Sequence, residues 1–140
     1  MSISLFELEQ KVKNDPTSAV ANFALGQEYF KIGNNDLALK HALQAVQYGH
    51  KQADAEKHAY YYVLASRILV KQGFVRAAEA MCRHALAIGL NTIGAYKGLG
   101  EVMVATKQKE QALQCIDAAI ARAPLDASLK QWRSKVVSGL

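Results

Sequence analysis

The stretch AYYYVLASRILVKQGFVRAAEAMCRHALAIGLN, residues 59–91, lies over IGAYKGLGEVMVATKQKEQALQCIDAAIARAPL, residues 93–125, when the chain is slid along itself by 34 positions. Under that shift Tyr62 meets Tyr96, Ala65-Ser66 meets Leu99-Gly100, and Leu69 meets Met103. Ala78, Cys82 and Ala85 meet Ala112, Ile116 and Ala119. The same columns return upstream at a shift of 40: Leu25-Gly26, Tyr29, Gly33, Ala38, Ala42 and Ala45 fall on Ala65-Ser66, Leu69, Gly73, Ala78, Cys82 and Ala85. A repeat of this length is one supersecondary unit that buries its apolar face only against its neighbours.

Working outward from these columns, the spacing predicts six helices: Ala19 to Ile32, Asp36 to Tyr48, Asp54 to Gln72, Val75 to Ile88, Ile93 to Thr106 and Lys109 to Ala123. Gly33-Asn34-Asn35-Asp36 combines a glycine stop with an Asn or Asp N-cap, and Gly73 and Gly89-Leu90-Asn91 are further stops. Small residues at Gly26, Ser66, Gly100, Ala38, Ala78 and Ala112 let backbones approach, with Leu25, Tyr29, Leu69, Leu99 and Met103 filling around them. Six extra residues, from Gly49-His50 to Ala53-Asp54, separate the first unit from the second. They are expected to lengthen the helix that follows, and His50 is expected in the loop.

With these columns the chain resembles a tetratricopeptide repeat protein over about residues 19 to 124. The resemblance implies an all-α fold: a right-handed α-α superhelix of three helix hairpins, with repeats at 19–52, 59–92 and 93–126 in a single domain 1–140. The column where the family often carries tryptophan holds Asn22, Tyr62 and Tyr96. The proline that often closes a repeat appears only at Pro124, with His50 and Leu90 in the other two places. Pro16 stands 34 residues before His50. Leu5, Leu8 and Val12 are therefore expected on an N-terminal capping helix (1–15), and Leu129, Trp132 and Val136 on a C-terminal one (126–138).

Composition agrees with an ordered helical chain. Of 140 residues 51% are hydrophobic, with only two prolines and no low-complexity tract. The N-terminus lacks the basic and apolar regions of a secretory signal, and no run approaches the ~20 apolar residues that span a bilayer. Cys82 and Cys115 sit singly in alanine-rich helical patterns and are expected to be buried, unpaired thiols of a reducing, cytoplasmic setting. The net charge of +5 comes from scattered lysines and arginines rather than a basic cluster with interleaved aromatics, so nucleic acid is not an expected partner.

The resemblance also implies where a partner would lie, because in this family the first helix of each hairpin lines the concave surface. Those helices carry a second, partly apolar stripe: Val20, Phe23, Gln27 and Phe30, then Tyr60, Val63, Arg67 and Val70, then Gly94, Lys97, Glu101 and Val104. The expectation is that Phe23, Phe30, Tyr60, Val63 and Val70 form an apolar floor for an amphipathic helix or extended peptide segment of a partner protein, with Arg67, Lys71 and Lys97 attracting its acidic groups. The same stripe is also compatible with packing beneath a terminal helix or with a homodimer interface. The family's clamp for chaperone C-termini uses lysine, asparagine and arginine at columns that here hold Phe23, Gln27, Leu64, Gly94 and Gly98, so that ligand is not expected.

Chemistry is not expected. Of His41, His50, His58 and His84, only His84 lies near a possible co-ligand, Cys82, and residues two apart diverge on a helix. The carboxylates form no acid and base pair; Glu101 with Lys97 is expected as a surface ion pair. Gly94, Gly98 and Gly100 lie within a helix and make no phosphate loop. The chain is thus expected to be a non-enzymatic scaffold or adaptor without cofactor or metal, the alternative being a secretion-type chaperone for one cargo protein.

Overall fold

Side-chain caps start the helices where the sequence supplies them. Ser4, Ser18 and Asn34 each accept the backbone N–H three residues on, at 3.2 Å, and Asp54 does so at 2.9 Å. The computed structural model describes residues 4–89 and 93–139. Its elements are α1 (Leu5–Asn14), α2 (Ala19–Lys31), α3 (Asn35–Gln52), α4 (Ala55–Gln72), α5 (Val75–Gly89), α6 (Ile93–Ala105), α7 (Lys109–Arg122) and α8 (Ala127–Gly139), with no strand among the described residues. The expected stop at Gly89-Leu90-Asn91, and the closing column at Leu90, fall partly or wholly outside the described residues.

Three hairpins, α2/α3, α4/α5 and α6/α7, stack in chain order, with α1 against α2 and α8 against α7. The turn inside each hairpin is built alike. The N–H groups of Asn34, Phe74 and Gln108 reach back to the carbonyls of Tyr29, Leu69 and Met103, each at 2.9 Å. That closure needs a left-handed residue just before it. Gly33 and Gly73 supply it at φ +84° and +86°, and Lys107 occupies the same column at φ 61° despite its side chain.

Small residues set the helix contacts as expected. A Cβ at Gly26 would stand 3.2 Å from the Ala38 carbonyl oxygen and 3.3 Å from the Ala42 nitrogen, so α2 and α3 touch backbone to backbone there. Leu25, Ile68 and Ile116 are almost wholly buried around such contacts, each contributing roughly 1.5–3 kcal/mol of apolar burial. At the ends, Leu8 and Val12 of α1 and Leu129 and Val136 of α8 are buried, while Trp132 packs against the last hairpin.

One feature here differs from expectation. Helix α3 does not end at Tyr48 but runs on through Gly49 and His50 to Gln52, so His50 is helical rather than in a loop. The extension is fastened by Gln52, whose Oε1 accepts the Ala19 N–H at 2.7 Å and whose Nε2 donates to the Thr17 carbonyl at 2.7 Å. Gly49 is buried inside this helix, where a Cβ would collide with His58 of α4. The added residues therefore lengthen α3 as well as α4.

A further feature of the first hairpin lies at Asn22. Although it replaces a large aromatic residue, it is fully buried. Its Nδ2 donates to the carbonyls of Pro16 at 3.0 Å and Ser18 at 2.9 Å. Its Oδ1 lies 2.9 Å from Nδ1 of His41, which must be the donor because an amide oxygen only accepts. A polar lock thus fills that column of the first hairpin.

Candidate functional site

Helices α2, α4 and α6 are the first helices of the three hairpins. Their side-by-side faces carry the expected stripe, but unevenly. Helix α4 packs closely on α6, while α2 meets α4 sparsely. The tight contact follows from Gly94 and Gly98 of α6. The Tyr60 ring lies over Gly94, where a Cβ would overlap it, and Val63 fills the space above Gly98, where a Cβ would stand 2.8 Å from its Cγ1.

Two pockets remain open. One, of about 420 Å³, lies between the starts of α2 and α4 and is lined by Val20, Phe23, Lys57, Tyr60 and Tyr61. Phe23 is braced by Tyr61, with ring centroids 4.8 Å apart and planes tilted by 39°. Burial, with the Asp54 charge behind it, pushes the Tyr61 phenol pKa up, so that ring stays neutral. Val20 and Tyr60 are 61% and 39% exposed, and they present apolar surface at the rim.

The other, of about 510 Å³, lies toward the ends of α2 and α4 against α6 and is lined by Phe30, Arg67, Val70, Lys71, Lys97 and Glu101. Here Glu101 pairs across helices with Arg67 at 3.3 Å, not with Lys97 along its own helix as expected. The Arg67 Nε–H is close enough to Glu101 for an ion pair but lacks hydrogen-bond alignment, and it is buried without another acceptor. Lys71 and Lys97 make no ion pair among the described residues. Lys97 acts weakly on Asp126, whose carboxyl is held below its ordinary value chiefly by the Ser128 hydroxyl.

The expected stripe is thus divided. Val20, Phe23 and Tyr60 share the first pocket, and Phe30, Arg67, Val70, Lys71, Lys97 and Glu101 share the second. Gln27 is exposed on α2 and belongs to neither lining. Val63 is 2% exposed and belongs to the core between α4 and α6, not to an accessible floor. Val104 lines a separate pocket of about 490 Å³ with Lys107, Lys109 and Gly139. Lys57 and Tyr61 were not among the expected residues. Lys57 stands one turn before Tyr60, in the first turn of α4 ahead of the second unit at 59–92, and that spacing was the available signal.

The remaining reactive groups are structural in placement. Cys82 is fully buried, and burial pushes its thiol up to about 11, a state poorly suited to nucleophilic attack. Burial likewise raises Cys115. His41 is lowered, first by burial and then by Lys40. His58 is buried with Nε2 at 2.9 Å from the Val46 carbonyl, and His50 meets it edge-on at 4.4 Å between ring centroids. Among the described residues no three of His, Cys, Asp or Glu converge as a metal-binding group, and no helix is long and apolar enough to cross a membrane.

The architecture is that of the tetratricopeptide solenoid, and solved structures share it across nearly the whole chain. The first such domain of Spaghetti, solved bound to the HSP90 peptide SRMEEVD, superposes with a TM-score of 0.76 at 18% identity, covering 86% of this chain and 93% of that one. The TPR2B domain of yeast Sti1, in a complex with pHsp70, gives 0.73 at 23% identity, covering 87% and 98%. YrrB, described as a TPR protein with an unusual peptide-binding site, gives 0.74 at 16% identity over 96% of this chain and 66% of that one. No family model matches the sequence, and no curated protein matches it. The likeness is one of fold.

Proposed function

We propose that this chain is a non-enzymatic protein-interaction module that holds a segment of a partner protein on the face formed by α2, α4 and α6. The observation that carries this reading is the pair of open pockets on that face, one apolar and aromatic, one rimmed by Arg67, Lys71 and Lys97. Aromatic side chains in a partly covered cleft supply binding energy at low entropic cost, and unpaired cations select acidic partners. Three structural neighbours bound to, or described by, peptide recognition support a peptide-sized ligand for this architecture. The buried thiols, and histidines engaged in packing and hydrogen bonds within the fold, support a role without covalent chemistry. The two buried thiols, both free of a disulfide, also support a reducing compartment such as the cytoplasm.

The test is affinity capture from native lysate with the wild-type chain and with Val20→Ser/Tyr60→Ala, followed by titration of the recovered partner against both. Val20 and Tyr60 are partly exposed, so helicity measured by circular dichroism should be retained. A partner whose affinity falls by about tenfold or more in the variant supports the reading. Partners bound equally by both proteins place recognition elsewhere.

A further inference from the structure

The three hairpin turns share one edge of the solenoid with the start of α1 and the end of α8. Gln72, at the end of α4, donates to Asp36 at the start of α3 at 3.1 Å, and Lys109, at the start of α7, donates to the Val137 carbonyl of α8 at 2.6 Å. Leu5, at the start of α1, joins the core cluster of Tyr29 near the end of α2. Three apolar side chains stand out from that edge: Phe6, Ile32 and Phe74 are 69%, 63% and 58% exposed. They line none of the cavities described above. A Cβ at Gly33 or Gly73 would meet nothing within 4 Å, so the first two turns project into open space.

The turns themselves do not call for these residues. In the repeat register Ile32 shares its column with Gln72 and Thr106, and Phe74 shares its own with Asn34 and Gln108. The carbonyls of Asn34, Phe74 and Gln108 all accept the first helical bond, from Ala38, Ala78 and Ala112. Asn34 also caps α3 through its side chain at 3.2 Å, whereas phenylalanine has no acceptor with which to cap α5. An aromatic ring held in water at a capping position, in place of the cap, points to a contact outside the chain.

Charge decides the kind of contact. The turns at 31–36, 71–76 and 105–110 hold five cations against two carboxylates, while the opposite edge, at 13–19, 50–57 and 122–128, holds four of each, so positive charge gathers where the apolar tips are. Of those two carboxylates Asp36 is already engaged by Gln72. Tips and cations run along the edge from α1 to α7, which suits an extended surface rather than a single pocket. At the surface of an anionic bilayer, apolar side chains seat among the headgroups while lysine and arginine meet lipid phosphate. We infer that this edge docks the protein on an anionic lipid bilayer through Phe6, Ile32 and Phe74, with Arg76 and Lys107 among the cations that face the phosphates. Val20, Phe23 and Tyr60 lie toward the other ends of α2 and α4 and stay uncovered, so this contact adds to the reading above and does not depend on it.

The experiment is co-sedimentation of the full chain with vesicles of phosphatidylcholine alone and of an equal mixture with phosphatidylserine. Binding to the mixed vesicles only, weakened by salt, is expected. Ile32→Ser/Phe74→Asn should lower the partition coefficient about fivefold or more. Phe74→Asn alone should keep the melting temperature at least at its wild-type value, because asparagine restores the capping residue of the first turn; a fall would give the ring a structural role and overturn the inference. Arg76→Glu/Lys107→Glu should lower the partition coefficient about tenfold or more, whereas Lys13→Glu/Lys51→Glu, with the same net charge but altered on the opposite edge, should retain most of the binding. Equal losses from the two charge reversals would reduce the contact to net charge and overturn the inference, as would vesicle binding that survives Ile32→Ser/Phe74→Asn. Absence of binding to the mixed vesicles overturns it too, and self-association by analytical ultracentrifugation that this variant abolishes would then assign the edge to a second copy of the chain.

Discussion

Replacing Asn22 with alanine should weaken the first hairpin out of proportion to the atoms removed. The side chain is fully buried and makes three hydrogen bonds, to Pro16, Ser18 and His41. The Ser18 carbonyl keeps its helical bond from the Asn22 N–H at 3.0 Å, so its loss is small. The Pro16 carbonyl loses its acceptor role, and the buried Nδ1–H of His41 is stranded, at a cost of about 1–3 kcal/mol for the latter. The imidazole can relieve part of this by moving its proton to the other ring nitrogen, which places the expected total near 2–3 kcal/mol. For a chain of this size that corresponds to a fall in melting temperature of roughly 10 °C. Urea titration at neutral pH, followed by circular dichroism, measures it. A cycle with His41→Leu and the double variant should show coupling of about 1 kcal/mol or more. A loss under about 0.5 kcal/mol, or strict additivity, would refute the view that a polar lock has taken over the column.

Three further outcomes follow from the same structure. His41 has a folded pKa below its ordinary 6.5, so the unfolded chain binds the proton more readily. Its stabilising contribution is complete above pH 6.5 and is lost as pH falls from there through the folded value. Against Lys40, Gln44 and Glu9 as the neighbouring groups, His41→Leu should flatten that part of the stability profile, and an unchanged profile would discard the claim. Lys107→Gly should raise stability by about 1 kcal/mol by relieving the left-handed backbone, while Gly73→Ala should lower it by a similar amount; paired thermal melts decide. Cys82, buried and with its thiol near 11, should react with a disulfide reagent only as fast as the fold opens, so labelling at the rate of a free thiol would contradict its placement.

What was legible in the sequence is what repeats. The columns of Gly26, Ala38, Ala78 and Ala112 mark helix contacts because only small side chains let backbones meet, and that constraint returns in every unit. The turn columns at Gly33 and Gly73 were legible for the same reason, and the shift of 34 lands on Lys107, whose side chain conceals the shared conformation. The extent of α3 was not legible, because Gly49 and His50 carry stop and loop signals locally. What keeps them helical is tertiary: Gln52 bonding back to Thr17 and Ala19, and His58 lying against Gly49. The candidate site was half legible. Helical spacing put Val20, Phe23 and Tyr60 on one face, but nothing along the chain showed that Gly94 and Gly98 would draw α6 onto Tyr60 and Val63. That approach turned Val63 from floor into core.

The extra residues between the first two units bear on function as well as shape. In the repeat register α4 begins four residues before α2 and α6, and it is 18 residues long where each of those is 13. Those four residues are Ala55 to His58. His58 anchors the added turn to α3 through the Val46 carbonyl, and Lys57, next to it, stands in the wall of the apolar pocket with Tyr60. A helix starting at residue 59 would leave that pocket without its cationic side and Tyr60 in a fraying first turn. The buried contacts of Gly49 and Val46 with His58 hold the added turn against α3, so it presents Lys57 and Tyr60 opposite Val20 and Phe23. The departure from the regular repeat length therefore coincides with the place where the solenoid's face opens, and the stability of that junction and the shape of the pocket depend on the same few side chains.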